Sequence, residues 1–259
     1  MAKNMLLAVD VGNTETTLGV FKDDELIATW HIATVISRTV DEHASLLLSL
    51  LDNKKIKAYD VSQVSMCSVV PPLTAVFEEV FRHYFSISPL VIIAGVKTGV
   101  RICMDNPKEV GADRIVDAAA AHHLYGGPLI IVDLGTATTF DTVSAEGDYK
   151  GGAIAPGMAA AAESLFKKAA MLPQVELTRP DRTIGTNTID AMKSGIVFGY
   201  VGLVEGVVAR IQKELGVKTK VIATGGLAHL IARETKLIDE VNTDLTLVGL
   251  RLIHGLNKA

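Results

Sequence analysis

The chain alternates between short apolar runs, which predict buried strands, and longer stretches with apolar residues at helical spacing. The runs at 6–9 and 129–132 each lead into an aspartate, a glycine turn and a second strand-like stretch. Each half of the chain therefore opens with a predicted three-strand meander, at 5–32 and at 129–154, and continues with helices. This repeated order, without a low-complexity linker, predicts an α/β protein of two lobes with mixed sheets and a cleft between them.

Several helices carry recognisable start signals. Thr39 is a predicted N-cap, with Glu42 three residues later completing a capping box. Pro71-Pro72 opens the next helix, where a missing N–H has no cost. A pattern that resumes at Glu109 predicts a further helix through the alanine run at 118–121.

A long helix is predicted over 188–215. Its glycines are spaced four, three and four residues apart and share one face, which allows another element to pack closely. They are Gly195, Gly199, Gly202 and Gly206.

The turns at 10–17 and 133–139 have the composition of phosphate-binding loops. Glycine permits a tight turn and close approach of a ligand, backbone N–H and threonine hydroxyl groups can donate to phosphate oxygens, and the aspartate can hold a cation directly or through water. Taken singly, each turn is equally well an ordinary hairpin turn. The repetition, one copy per half of the chain, favours binding of a nucleotide triphosphate from both sides.

A third glycine turn follows a strand at Thr224-Gly225-Gly226-Leu227. It suits close approach to adenine or ribose, and a plain strand-to-helix connection explains it equally well. The three turns together point to ATP. The sequence has neither a P-loop pattern nor a dinucleotide-binding Gly-x-Gly-x-x-Gly after a strand.

The stretch 107–114 carries an adjacent acid and base, Asp113 and Arg114, at the start of a predicted helix. One interpretation is structural: the pair complements the helix dipole and Arg114 pairs at the surface with Asp117. The other is catalytic: Asp113 accepts a hydroxyl proton and Arg114 binds a substrate carboxylate. The residues alone leave both open.

Composition narrows the class of protein. The 259 residues are 49% hydrophobic and 21% charged, which suffices for two modest domains. A net charge of −4 and a pI near 6.0 predict no nucleic-acid or anionic membrane partner. No uncharged apolar run of membrane-spanning length occurs, and residues 1–4 lead into a strand rather than a secretory segment. Cys67 and Cys103 are predicted to be buried free thiols. A soluble cytoplasmic protein is expected.

The set of motifs resembles type III pantothenate kinases. The resemblance extends in order over nearly the whole chain, and the set is specific although each motif is weak alone. It rests on residues 10–14, 68–72, 111–114, 133–139, 151–157, 185–188 and 223–227. The resemblance implies the actin-like, sugar-kinase fold of two ribonuclease-H-like lobes, which we place at 1–115 and 116–259.

The resemblance also implies roles at the two turns. Thr136 contacts the nucleotide phosphates from the second lobe, and Asp133 ligates the K⁺ or NH₄⁺ that the family requires. The first phosphate loop, which holds ATP with Mg²⁺, comprises Asp10, Val11, Gly12, Asn13, Thr14, Glu15, Thr16 and Thr17.

The resemblance places the pantothenate site at Gly111, Ala112, Asp113 and Arg114, with Asp113 the proton acceptor and Arg114 facing the carboxylate. Thr188 completes this pocket; in the family this residue reaches across a dimer interface, so the glycine face of the following helix is expected to take part in a homodimer.

One position departs from the family. Three residues before Pro107 the family commonly has a tyrosine that touches the substrate, whereas this chain has Met104. Methionine fills a similar apolar volume without a hydroxyl, so the affinity for pantothenate and the tolerated substrate tail are open.

The sequence therefore predicts an ATP-dependent enzyme that phosphorylates pantothenate to 4'-phosphopantothenate, the first step towards coenzyme A. Two alternatives remain: a kinase or phosphatase for another small substrate on the same fold, and a nucleotide-binding regulatory protein without catalysis.

Overall fold

The computed structural model describes residues 5–258. The expectations about residues 1–4 and the final residue of the second predicted lobe lie outside this range. The chain forms two compact units, one of residues 5–99, 106–120 and 246–258, the other of residues 100–105 and 121–245. The predicted boundary between residues 115 and 116 divides the chain once, whereas these units interleave along the sequence.

Within residues 5–258, each unit contains one sheet. The strands are β1 (Met5–Val11), β2 (Glu15–Lys22), β3 (Glu25–Ala33), β4 (Val61–Ser68), β5 (Leu90–Val91), β6 (Arg101–Ile102), β7 (Leu129–Leu134), β8 (Ala137–Val143), β9 (Asp148–Pro156), β10 (Lys220–Thr224) and β11 (Glu240–Val241). The first sheet has the order β3-β2-β1-β4-β5 and the second the order β11-β10-β7-β8-β9-β6.

The two sheets repeat one topology. In the first, β1 pairs antiparallel with β2 and parallel with β4. In the second, β7 pairs antiparallel with β8 and parallel with β10. Both meanders are present as expected, so the prediction of a duplicated α/β fold with mixed sheets is confirmed.

The helices are α1 (Val40–Asn53), α2 (Pro71–Phe85), α3 (Ala112–Tyr125), α4 (Met158–Lys168), α5 (Thr188–Leu215), α6 (Ala228–Ala232) and α7 (Leu245–Leu256). Their start signals act as predicted: Thr39 and Glu42 form a capping box, and Pro71 is the first residue of α2. The helix expected from Glu109 begins only at Ala112, because Pro107–Glu109 forms a separate 3₁₀ turn. The short elements β6, β11 and α6 have no clear periodicity and were not predicted.

Central strands are apolar along their whole length because both faces are covered. Ala8, Val9, Ile130 and Val132 are completely buried. The exception in each strand is the penultimate residue, Asp10 in β1 and Asp133 in β7, which is polar and only half-buried.

The helix α5 packs on the core of the second unit through Ile196, Val204 and Val208. By length and composition it could also cross a membrane, but a buried helix of a globular core passes the same test, and 39% of its most apolar window is buried.

Candidate active site

The first aspartate turn is closed by a short backbone bridge. The N–H of Gly12 donates to the carbonyl of Glu15 at 3.0 Å. A Cβ at Gly12 would lie 2.8 Å from that carbonyl oxygen, so only glycine fits without displacing the backbone. Asn13 and Thr14 at the tip are exposed, so this part of the turn is accessible to a ligand.

Thr34, just beyond β3, braces this turn from one side. Its hydroxyl donates to the carbonyl of Gly12 at 2.8 Å and lies 2.9 Å from the hydroxyl of Thr16. Its N–H donates to the carbonyl of Thr14 at 3.0 Å. Thr16 is buried, so its hydroxyl supports the turn from within. No sequence motif predicted this role for Thr34, because the role depends on the pairing of β3 with a distant part of the chain.

Asp10 at the end of β1 is held by a residue that the sequence did not single out. The thiol of Cys67, on β4, donates to Asp10 Oδ1 at 3.2 Å. Burial raises the pKa of Asp10 to about 7; the Cys67 hydrogen bond opposes this rise, and the charges of Asp113 and Glu15 add to it.

Both cysteines are free thiols, as predicted. Cys67 is completely buried, and this burial raises the pKa of its thiol, with Asp10 and Asp113 adding to the rise. Cys103 is exposed, so its predicted burial is wrong. Cys103 directly follows β6, a strand of only two residues at the edge of the second sheet.

The stretch 111–114 forms the start of α3. The N–H of Arg114 donates to Asp113 Oδ1 at 2.8 Å, as expected of an acid in the first turn of a helix. Gly111 gives this carboxylate room, since a Cβ there would lie 2.4 Å from Asp113 Oδ1. Asp117, one turn further along the helix, is buried and accepts a hydrogen bond from Thr246 at 2.7 Å.

The first unit thus brings Asp10 and Asp113 together. The charge of Asp113 is close enough to affect the pKa values of both Asp10 and Cys67. One carboxylate ends a strand beside a glycine turn and the other begins a helix. Such a pair can bind a cation-bound phosphate on one side and accept a proton on the other.

The second aspartate turn lies against the third glycine turn. Thr224 is the parallel-strand partner of Asp133. Gly225 has φ +87°, and a Cβ there would lie 2.4 Å from Asp133 Oδ1 and 2.7 Å from the backbone of Leu134. Gly225 therefore leaves space for the Asp133 carboxylate, a role that adds to the nucleotide contact expected of this turn.

Thr136 is exposed at the tip of the same turn, beside the start of α4. A Cβ at Gly157, the N-cap of α4, would lie 2.2 Å from the carbonyl oxygen of Thr136 and 2.5 Å from that of Gly135. The glycine allows the N-terminus of α4 to approach the turn, where its N–H groups favour an anion.

Met104 and Thr188 have different surroundings in the second unit. The half-buried Met104 packs on Gly151, where a Cβ would lie 2.5 Å from its sulfur. Thr188 is the exposed first residue of α5, behind the N-cap Asn187, which accepts from the N–H of Asp190 at 2.9 Å. It lines a shallow pocket of about 520 Å³ with Leu172 and Gly185.

The carboxylates fit hydrated cations rather than a closed metal cage. Among residues 5–258, no group of three or more His, Cys, Asp or Glu side chains is placed to hold a metal. Mg²⁺ commonly keeps several waters and uses one or two carboxylates together with phosphate oxygens. Asp10 beside the first turn and Asp133 beside the second are suited to such shared coordination.

Comparisons with known proteins show the family to which the chain is similar. A family model described as type III pantothenate kinase matches residues 6–210. A type III pantothenate kinase of Dehalococcoides mccartyi is 56% identical over 99% of this chain and 98% of its own length. One of Myxococcus xanthus is 50% identical over 98% of this chain and 100% of its own.

The fold is also found at much lower sequence identity. The crystal structure of an inorganic polyphosphate/ATP-glucomannokinase from an Arthrobacter strain has a TM-score of 0.52 to this chain at 13% identity. The structural match covers 98% of this chain and 100% of the kinase, which supports the duplicated sugar-kinase fold. The family model matches most of the chain, and the two relatives are 56% and 50% identical to it over nearly its whole length. The chain therefore belongs to the type III pantothenate kinase family.

Proposed function

We propose that the enzyme transfers the γ-phosphoryl group of ATP to the primary hydroxyl of pantothenate, giving 4'-phosphopantothenate in the first step of coenzyme A synthesis. Family membership supports this activity. The observation that carries it is the carboxylate of Asp113, which begins α3 and is electrostatically coupled to Asp10 at the first phosphate turn.

The two turns are proposed to bind the triphosphate. The exposed tip at Asn13 and Thr14 supplies N–H and hydroxyl donors, and Thr136 supplies a hydroxyl from the second turn. Mg²⁺ with Asp10, and K⁺ or NH₄⁺ with Asp133, would neutralise phosphate charge when bound. The protein's own contribution is then positioning and fixed dipoles rather than covalent chemistry.

Gly111, Ala112, Asp113 and Arg114 are proposed to bind pantothenate. Asp113 accepts the hydroxyl proton during transfer, and Arg114 offers a planar fork to the substrate carboxylate. Met104 is proposed to supply an apolar contact in place of the family's tyrosine.

A homodimer is proposed through the glycine face of α5. Gly195, Gly199 and Gly202 are exposed, and a Cβ at any of them would meet no described atom within 4 Å. This chain therefore leaves the close-packing surface uncovered. In this dimer, Thr188 of the second copy is proposed to complete the pantothenate site, as the resemblance to the family implies.

A cytoplasmic location is proposed, without nucleic-acid or membrane partners. The net charge of −4 provides no surface excess of positive charge for either polyanion.

The activity is tested by ADP release with pantothenate and Mg-ATP, with and without K⁺. We expect pantothenate- and K⁺-dependent turnover that falls about 100-fold or more in Asp113→Asn, the usual effect of removing a general base. ATP should still bind the variant. Binding of ATP without turnover of pantothenate by wild type would contradict the proposal and favour another hydroxyl substrate or a regulatory protein.

A further inference from the structure

We propose that Cys67 is a positioning residue for Asp10. Its thiol holds one carboxylate oxygen, Oδ1, and leaves Oδ2 for a cation or a cation-bound water at the first turn. This inference rests on the proposed role of Asp10 in binding Mg-ATP.

The sheet fixes the geometry of this contact. Asp10 and Cys67 are direct partners in the parallel pairing of β1 with β4, and the sulfur lies 3.2 Å from Asp10 Oδ1. Cys67 has no exposed surface, so the thiol cannot turn to solvent. Among residues 5–258, Cys67 is the side chain that donates a hydrogen bond to Asp10.

The neighbouring acids have other donors. Asp113 accepts from the N–H of Arg114, and Asp117 accepts from the hydroxyl of Thr246. Asp10 depends on the thiol to fix the rotation of its carboxylate. Without that donor the carboxylate is free to rotate about its terminal bond, and it loses a hydrogen bond to a charged group.

A role limited to packing predicts a different response to substitution. Serine keeps an O–H donor but is more polar than cysteine, whereas valine fills the apolar space without a donor. If Cys67 only fills the core, valine should be the better replacement. If it positions Asp10, serine should be the better replacement for binding Mg-ATP.

The first test observes the hydrogen bond itself. The variant Cys103→Ser leaves Cys67 as the single thiol of the chain, since the sequence has two cysteines. In this background we expect the infrared S–H stretching band to shift to higher frequency when Asp10→Asn replaces the carboxylate by a weaker acceptor. An unshifted band would overturn the proposed contact.

The second test measures Mg-ATP binding by calorimetry without pantothenate, so it does not depend on turnover. We expect Cys67→Val to weaken binding about 5- to 10-fold and Cys67→Ser to stay within about twofold of its parent, the size expected for one hydrogen bond. Equal weakening by both variants, or stronger weakening by serine, would overturn a positioning role. Thermal unfolding identifies a variant that fails to fold, and the infrared result then still decides the contact.

A failure of the proposed function is distinguishable from a failure of this inference. If the Cys103→Ser parent binds Mg-ATP but does not phosphorylate pantothenate, the proposed function fails. The S–H shift and the serine–valine difference are measured without pantothenate and retain their meaning.

Discussion

At the scale of single residues, Asp10 is proposed to bind a cation through its carboxylate, although its burial disfavours the charged form of that group. Burial raises its pKa to about 7 from an ordinary value of 3.8. Between pH 3.8 and about 7, the folded protein therefore keeps a proton on Asp10 that the unfolded chain has already released. Its stability contribution therefore falls as pH rises from about 4 to about 7, because ionised Asp10 disfavours the folded state.

We expect Asp10→Asn to be more stable than wild type in the metal-free protein, by an amount that grows as pH rises from about 5 to about 7. Denaturant unfolding at each pH measures this difference. The variant Asp23→Asn removes the same charge from an exposed turn, where the positive φ of 56° suits asparagine, and its stability should run parallel to wild type. A constant difference for Asp10→Asn across this range would contradict the raised pKa.

Gly225 is a second residue whose effect is local. Its φ of +87° and the 2.4 Å separation of a Cβ from Asp133 Oδ1 mean that alanine would strain the backbone and displace the carboxylate. We expect Gly225→Ala to destabilise the protein by about 1–3 kcal/mol and to raise the K⁺ concentration needed for half-maximal activity. Thermal unfolding and a K⁺ titration of ADP release measure the two effects.

Gly226 provides the matched control for this prediction. A Cβ there would meet no described atom within 4 Å, and its φ is not in the left-handed region. Gly226→Ala should leave both stability and K⁺ dependence near wild type. If the two alanine variants behave alike, the contact of Gly225 with Asp133 does not cause the changes in stability and K⁺ dependence.

At the scale of elements, the end of β3 supports the first phosphate turn through Thr34. Thr34→Val removes the hydroxyl that bonds Gly12 and Thr16 but keeps the backbone bond to Thr14. We expect the KM for ATP to rise about 5- to 10-fold, the effect of one lost hydrogen bond on a preorganised loop. Steady-state kinetics at saturating pantothenate measures it.

Thr29, within β3, is the control for Thr34. It pairs with Gly19, away from the turn, and is half-buried like Thr34. Thr29→Val should leave the KM for ATP within about twofold of wild type, a difference of less than 0.5 kcal/mol. An unchanged KM in Thr34→Val would show that the turn keeps its shape without the brace.

At the scale of the whole molecule, the uncovered glycine face of α5 makes association testable. Gly199→Leu adds bulk on an exposed face, where an added Cβ would meet no other part of the described chain within 4 Å, so it should not disturb the fold of the single chain. We expect this variant to shift the protein from dimer to monomer in light scattering. It should also lower pantothenate turnover, because Thr188 would lose its partner across the interface.

The control for this face is Lys213→Leu, an exposed substitution on the same helix roughly 20 Å further along its axis. It should leave the dimer intact. A wild-type monomer, or a Gly199→Leu dimer as stable as wild type, would contradict the proposed interface.

Much of the fold could be predicted because its signals are local. The apolar run before Asp133 and the glycine turn after it lie within a few residues, and so do Thr39 and Glu42 of the capping box. The start of α3 was placed three residues too early, since Pro107–Glu109 has helix-like composition but closes as a separate turn. The strand β6 is not predicted, because two residues are too few to show an alternation of apolar and polar positions.

The sequence by itself determined the two aspartate turns, the repeated strand order and the family, because periodicity and turn chemistry depend on neighbours in the chain. Only the tertiary structure decided what surrounds those turns. Cys67 meets Asp10 across 57 positions, Thr34 reaches Gly12 across 22, and Gly225 lies against Asp133 through a parallel strand pair. Strand pairing brings these distant segments together, and no local pattern records which partner a strand will take.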